Sequence, residues 1–395
     1  MNPEPSNPLL PLVQQSLTQL LDYCRKNNWA GHDPYDALNS QVFNAVPFFQ
    51  NYPCRLVFTQ AMKRLPVNLR PLFLVSREQN PKGLALFIST LVRLQEINLF
   101  NDKQQITSLI NRLIELRSPD MPHYCWGYNF DWQGRHGLTP KFSPNIICTS
   151  FAANAFLDAF DKYKNSEYLD IAVSAGRFLL TGLEISKEAT GLCFSYTTVG
   201  QSKVHNANLL GAALLARLYK ATGEQEFLDY SSKAMSYSVS RQNSDGSWFY
   251  GEHATQKWID NFHTGFNLGA IKRFCEYTGN TEYLKNIQKG YAFFKKHFFT
   301  SEAIPKYFHN RLYPIDIHSV AQSIITLVEM KDIDQNAMQT LEPMLFWTMK
   351  NMRSKQGYFY FQKKRYFTNR NSYMRWSQAW MLYGLAILMK ELGNK

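Results

Sequence analysis

Apolar and polar positions along this chain sort into two kinds of helix-length pattern. The first kind is apolar on nearly every face and rich in small residues: 81–97 (PKGLALFISTLVRLQEI) and the segments opening near Asn145 (NIICTSFAANAFLDAF), His205 (HNANLLGAALLARLY), Asp260 (DNFHTGFNLGAIKRF), Asp316 (DIHSVAQSIITL) and Arg375 (RWSQAWMLYGLAILM). A helix with no polar face must be buried. The second kind is apolar on one side only, as in 11–26, 101–117 and the segments that open on Glu167-Tyr168-Leu169, Glu226-Phe227-Leu228 and Glu282-Tyr283-Leu284. One-sided helices cover a core.

The two kinds alternate with a repeat of about 55 to 60 residues, six of each. A short aromatic segment closes each of four units, at Cys193–Tyr196, Ser247–Tyr250, Ile304–Tyr307 and Gly357–Tyr360, and the final tyrosines lie 54, 57 and 53 residues apart. Six buried helices alternating with six covering ones predict a closed double ring, an all-α (α/α)6 toroid. Open solenoids of the TPR or HEAT kind use shorter repeats, about 34 to 47 residues, without a substantial aromatic loop. A length of 395 residues would otherwise point to two or three domains, but the repeat makes 1–395 a single barrel, with the proline-bearing stretch 27–80 as an irregular wrapping segment.

Composition and charge refine this picture. Aromatic residues reach 15% against only 19% charged, so part of the aromatic content needs a use beyond core packing. The net charge of +12 favours anionic partners. The basic residues are spread through the repeats apart from Lys363-Lys364-Arg365, which argues against nucleic acid. The six cysteines form no CxxC pair, and no ligand-spaced cluster calls for a metal or cofactor. The N-terminus lacks a signal-peptide pattern and no run of 18 apolar residues occurs, so a cytoplasmic protein is expected.

Candidate chemistry gathers just before and at the start of the apolar helices, which an alternating ring places at one mouth. The segment 123–145 supplies Trp126, Asn129, Asp131, Trp132, Arg135 and His136. Later units add Lys203, His205 and Asn206; Trp258, Asp260 and His263; Tyr313, Asp316 and His318; and Tyr373, Arg375 and Trp376. Flat aromatic faces beside Asn, Asp, His and Arg are what a sugar requires, and helix N-termini with Lys306 and Arg311 nearby make an anionic sugar attractive. Asn145, Asp260 and Asp316 are equally explained as helix caps, and the tyrosine-ended loops as packing.

For catalysis, the first expectation is a carboxyl pair that breaks a glycosidic bond, Asp260 with Asp316, beside His263 and His318. The alternative is an epimerase or lyase using His or Tyr, with Arg375 or Asn neutralising a sugar carboxylate. A third reading is a glycan-binding scaffold without turnover. Isoprenoid chemistry would need a DDxxD-like acidic cluster or a zinc site, and the sequence has neither.

Six motifs occur in order over about residues 29 to 392: Asp33-Pro-Tyr-Asp-Ala-Leu-Asn-Ser40, Trp126-Gly-Tyr-Asn-Phe-Asp-Trp132, Val204-His-Asn-Ala-Asn-Leu209, Trp258-Ile-Asp-Asn-Phe-His-Thr-Gly265, Tyr313-Pro-Ile-Asp-Ile-His318 and Tyr373-Met-Arg-Trp376. In these the chain resembles the VpsJ-like proteins of bacterial exopolysaccharide and capsule gene clusters, departing at Ala37 where that pattern has Gly. That family is similar to the six-hairpin glycosidase-like superfamily, which includes unsaturated uronyl hydrolases, N-acylglucosamine epimerases and polysaccharide lyases. The resemblance implies a carbohydrate-active fold and a role in polysaccharide assembly or modification; the +12 charge adds the expectation of an acidic glycan or precursor as substrate and of association with membrane-bound assembly machinery. It transfers no specific reaction; Asp260, in Asp-Asn-Phe-His-Thr-Gly, is the nearest local match to the uronyl hydrolases.

Overall fold

The computed structural model describes residues 8–134 and 137–393. In chain order its helices are α1 (Leu9–Lys26), α2 (Gln41–Asn44), α3 (Tyr52–Arg64), α4 (Pro81–Glu96), α5 (Lys103–Glu115), α6 (Ile146–Tyr163), α7 (Ser166–Thr181), α8 (His205–Thr222), α9 (Gln225–Val239), α10 (Asn261–Thr278), α11 (Leu284–His297), α12 (Ile317–Glu329), α13 (Ala337–Asn351) and α14 (Trp380–Gly393). Short strands β1 (Trp132–Gly134), β2 (Gly137–Thr139), β3 (Ile185–Glu188), β4 (Gly191–Phe194), β5 (Ile315–Asp316), β6 (Gln362–Lys363) and β7 (Thr368–Asn369) stiffen the loops.

The apolar helices α4, α6, α8, α10, α12 and α14 each pack on the next, and α14 packs back on α4, which closes the ring. Each carries its amphipathic partner outside: α5 on α4, α7 on α6, α9 on α8, α11 on α10, α13 on α12, and α1 on α14. The first helix of the chain thus covers the last inner one. This is the (α/α)6 toroid that the periodicity predicts.

Local chemistry explains where the inner helices begin. Asn80 caps α4 by accepting from the Lys82 and Gly83 amides, and Asn145 does the same for Cys148 on α6. Asp260 and Asp316 cap α10 and α12 through the His263 and His318 amides. The first amide of each helix finds a different partner. Ile146, His205, Asn261 and Ile317 donate to the carbonyls of Tyr196, Tyr250, Tyr307 and Phe361, each in the aromatic loop of the following unit. The tyrosine spacing therefore records a belt of loop-to-helix hydrogen bonds around the mouth. The fourth place is taken by Phe361, one residue beyond the expected Tyr360.

The stretch 27–80 is seated on the mouth by buried ion pairs. Asp36 meets Arg70 at 2.5 Å, Arg70 donates to the Tyr373 hydroxyl at 2.9 Å, and Asp33 takes both donors of Arg375 at 2.6 and 2.7 Å. The Asp-Pro-Tyr-Asp motif is the peg. Gly31 is needed beside it, since a Cβ there would meet the Met374 Cβ at 2.8 Å.

Candidate active site

Helix register decides what each capping carboxylate does. His263 lies three residues after its cap, a place that returns to within roughly 60° of the cap around the helix axis. Its Nδ1 sits 2.7 Å from Asp260 Oδ2. Asp260 also accepts the Trp258 indole N–H at 3.0 Å, and Trp258 stacks on Tyr250 at 4.5 Å. With Nδ1 directed at the carboxylate, Nε2 is the ring nitrogen left over. That nitrogen has no partner among the described residues, and the half-buried ring lines a narrow cleft, closed to water in this conformation, with Asn206, Tyr250, Trp258, Thr264 and Asn267.

His318 lies two residues after Asp316, on the opposite side of its helix. It faces the barrel axis, 2% exposed, stacked between Phe262 at 4.5 Å and Trp380 at 4.6 Å, and neither ring nitrogen has a partner among the described residues. Burial, helped by the nearby Lys82 and Arg375 charges, holds it neutral, well below the ordinary imidazole range. Asp316 is fully buried and accepts from the His318 amide, Trp376 Nε1 at 3.0 Å and Gln362 Nε2 at 2.6 Å. Burial raises its pKa. This carboxylate positions Trp376 and β6 and does not open on the mouth.

The remaining expected residues divide. His205 and Asn206 stand at the start of α8, buried, with His205 Nδ1 and Asn206 Oδ1 unpartnered; burial pushes His205 down to about 4. Trp376 is buried, edge-on to Tyr35 and His318. Trp126 belongs to the core: it is fully buried, donates to the Leu113 carbonyl and stacks on Phe156. Arg375 is committed to Asp33 and lies over the Tyr128 ring. Asn129 bonds Asn80 and Glu78, and Asp131 holds the Lys141 amide across the loop after β2. Trp132 and Tyr313 are half-buried. Arg135 and His136 lie outside the described residues.

Three features go beyond the expected catalytic and sugar-binding residues. Tyr250 and Tyr307 are half-buried, their hydroxyls have no hydrogen-bond partner among the described residues, and burial keeps both far above the ordinary phenol range. Their recurrence is visible in sequence but equally suits packing. Tyr128 and Tyr196 bond each other beside them. The last is Lys82, at the start of α4 with no other charge before Arg93, a position that was its signal. Among the described residues no group of His, Cys, Asp and Glu is arranged to hold a metal ion.

Residues 103–324 match the model of glycosyl hydrolase family 76. The chain belongs to that family. Solved structures with the same fold include a sugar epimerase from a ruminal bacterium (TM-score 0.65, 10% identity, 96% of this chain and 98% of that one). Others are a cellobiose 2-epimerase from Bacillus thermoamylovorans (0.63, 11%, 79% and 88%) and a family 76 α-mannanase from Bacteroides thetaiotaomicron (0.61, 15%, 81% and 89%). No curated protein matches the sequence. Membership in family 76 makes this a carbohydrate-active enzyme with a glycan substrate, built on the six-hairpin toroid. No described helix of this family 76 protein is long and apolar enough to cross a membrane.

Proposed function

We propose that this enzyme acts on an acidic glycan, or its precursor, in bacterial exopolysaccharide or capsule biosynthesis, by proton transfer at a sugar carbon next to a carboxylate. The observation that carries the reading is the 2.7 Å contact between His263 Nδ1 and Asp260, which leaves Nε2 free in the cleft. A carboxylate that fixes the tautomer and orientation of an imidazole makes the other ring nitrogen a general base. His263 Nε2 takes the ring C5 proton, and the electron pair is delocalised into the sugar carboxylate. The Tyr250 ring lies 4.6 Å from that of His263, and its pKa, raised by burial, keeps it an acid. Standing beside His263, on the same side of the sugar, it protonates the departing O4 as the C4–O bond breaks, giving elimination.

Hydrolysis is the second reading, favoured by the family match itself. It would use Asp260 released from Trp258 and His263, since Asp316 has its oxygens engaged by three N–H donors.

The place in polymer synthesis is supported by the six motifs shared with VpsJ-like proteins. Association with membrane-bound machinery is supported by the rim, where Phe48, Val57, Val67, Leu72 and Leu74 are exposed. Burial lowers the Lys364 amine there, and Lys63, Arg64 and Arg311 crowd it enough to push the same way, a charge pattern that suits anionic lipid. The test is complementation of a deletion strain. His263→Ala, folded by circular dichroism, should fail to restore polymer. Full restoration would favour a binding scaffold and refute the proton-transfer reading.

A further inference from the structure

Lys82 stands on the first turn of α4, with its amine among rings from three other inner helices, α6, α10 and α14. The residue is 4% exposed, and its Nζ lies 4.5 Å from the Phe151 ring, 5.1 Å from Trp380 and 5.6 Å from Phe266. Phe266 comes from α10, on the far side of the ring from α4, so these rings form a floor across the axis. No hydrogen bond or ion pair reaches the amine among the described residues. The rings contribute cation–π attraction but cannot accept its N–H donors as an oxygen would. Packing alone would be served better by Met or Leu.

The charges around Lys82 explain why no anion of the chain compensates it. Asp33, from the wrapping segment, is spent on Arg375. Cys148 on α6 is a thiol kept protonated by burial, and His318 on α12 is a neutral ring. Burial first, then the Arg375 charge, pushes the Lys82 amine down to about 7. His318, with two unpartnered ring nitrogens, shares the Phe266 and Trp380 rings with Lys82. The floor thus offers donors and no acceptor charge, and it adjoins the His263 cleft through Phe266, whose ring centroid lies 6.1 Å from that of His263.

We infer that Lys82 receives the carboxylate of the bound sugar and makes the site select uronic acids over their neutral parent hexoses. The inference rests on the proton-transfer reading and deepens it, because a carboxylate held by a cation is what stabilises charge developing next to C5. It names a specificity residue on the opposite side of the barrel from the base.

The test is calorimetric titration of wild type with the methyl glycosides of glucuronic, galacturonic and mannuronic acid and with their neutral parents. One acid should bind at least about 30-fold more tightly than its parent at pH 6. Its affinity should fall by about tenfold per pH unit above 7, as the amine loses its proton, while the parent's stays flat. Lys82→Met should erase the preference and leave the parent's affinity within about threefold. His263→Ala should keep the preference while abolishing turnover, which separates recognition from chemistry. Equal binding of acid and parent by wild type, a preference that survives Lys82→Met, or a flat pH profile for the acid overturns the inference and leaves the sugar reading standing. Binding of none of these sugars overturns both. The wild-type pH profile decides the matter even if the variant fails to fold.

Discussion

The starts of α10 and α12 carry the same two residue types in equivalent places of successive units, and they end in opposite chemistry. At α10 the histidine is three residues from its cap, turns back to Asp260 and keeps one nitrogen free in the cleft. At α12 it is two residues from its cap, turns to the axis and is sealed between Phe262, Trp376 and Trp380, while Asp316 holds its neighbours together. One residue of helical register separates a histidine bonded to its cap, with one nitrogen free, from a neutral ring in an apolar cage. A motif of Asp followed by His is therefore not a site until its spacing has been turned into an angle.

The largest effect should follow loss of the base. His263→Ala is expected to lower kcat by about 10³-fold or more with the fold intact, measured on whichever uronic glycan the titrations select. Asp260→Asn should cost about 10²-fold, since the amide no longer fixes the tautomer, and its loss should appear in kcat more than in KM. If Asp260→Asn and His263→Ala together cost no more than His263→Ala alone, the two act as one unit.

On the other side of the comparison the effects should be structural. Asp316→Ala removes the acceptor for Trp376, Gln362 and the His318 amide, and should destabilise the fold by about 3 kcal/mol in denaturant titration. Asp260→Ala should cost about 1 kcal/mol, since its carboxylate, though buried, bonds a half-buried histidine and an exposed tryptophan that water can reach once it is gone. Equal costs would erase the distinction drawn between the two carboxylates.

The smallest effect concerns pH. The folded pKa of His318 is depressed by burial and by the Lys82, Arg375 and His263 groups that face it, so the unfolded chain takes up a proton there that the folded one refuses. Stability is full above the unfolded value of about 6.5 and declines as pH falls below it. His318→Phe should flatten this acid limb by up to about 1 kcal/mol between pH 7 and 5.5, read from Tm.

Most of the architecture was legible because burial imposes it on every helix: the apolar segments had to be inside, and their number and spacing closed the ring. The mouth was legible for the same reason, since a cap and an aromatic loop recur at each inner helix. What sequence could not supply was which donors reach which oxygens. Trp126 and Trp258 look alike in the chain, yet one is bonded to the Leu113 carbonyl in the core and the other to Asp260 at the mouth. Arg375 reads as a free cation until Asp33, distant in sequence, is folded onto it. Lys82 was passed over because a single lysine in an apolar helix says nothing about whether an anion meets it.

The most direct test of the central claim is isotopic. Purified enzyme is turned over on its uronic glycan in deuterated water and, separately, in water enriched in oxygen-18. Proton transfer by His263 predicts deuterium at C5 of the recovered sugar, or its 4,5-unsaturated product, with no oxygen-18 at the anomeric carbon. Oxygen-18 at that carbon with the C5 proton retained would contradict the account and return the site to glycoside hydrolysis.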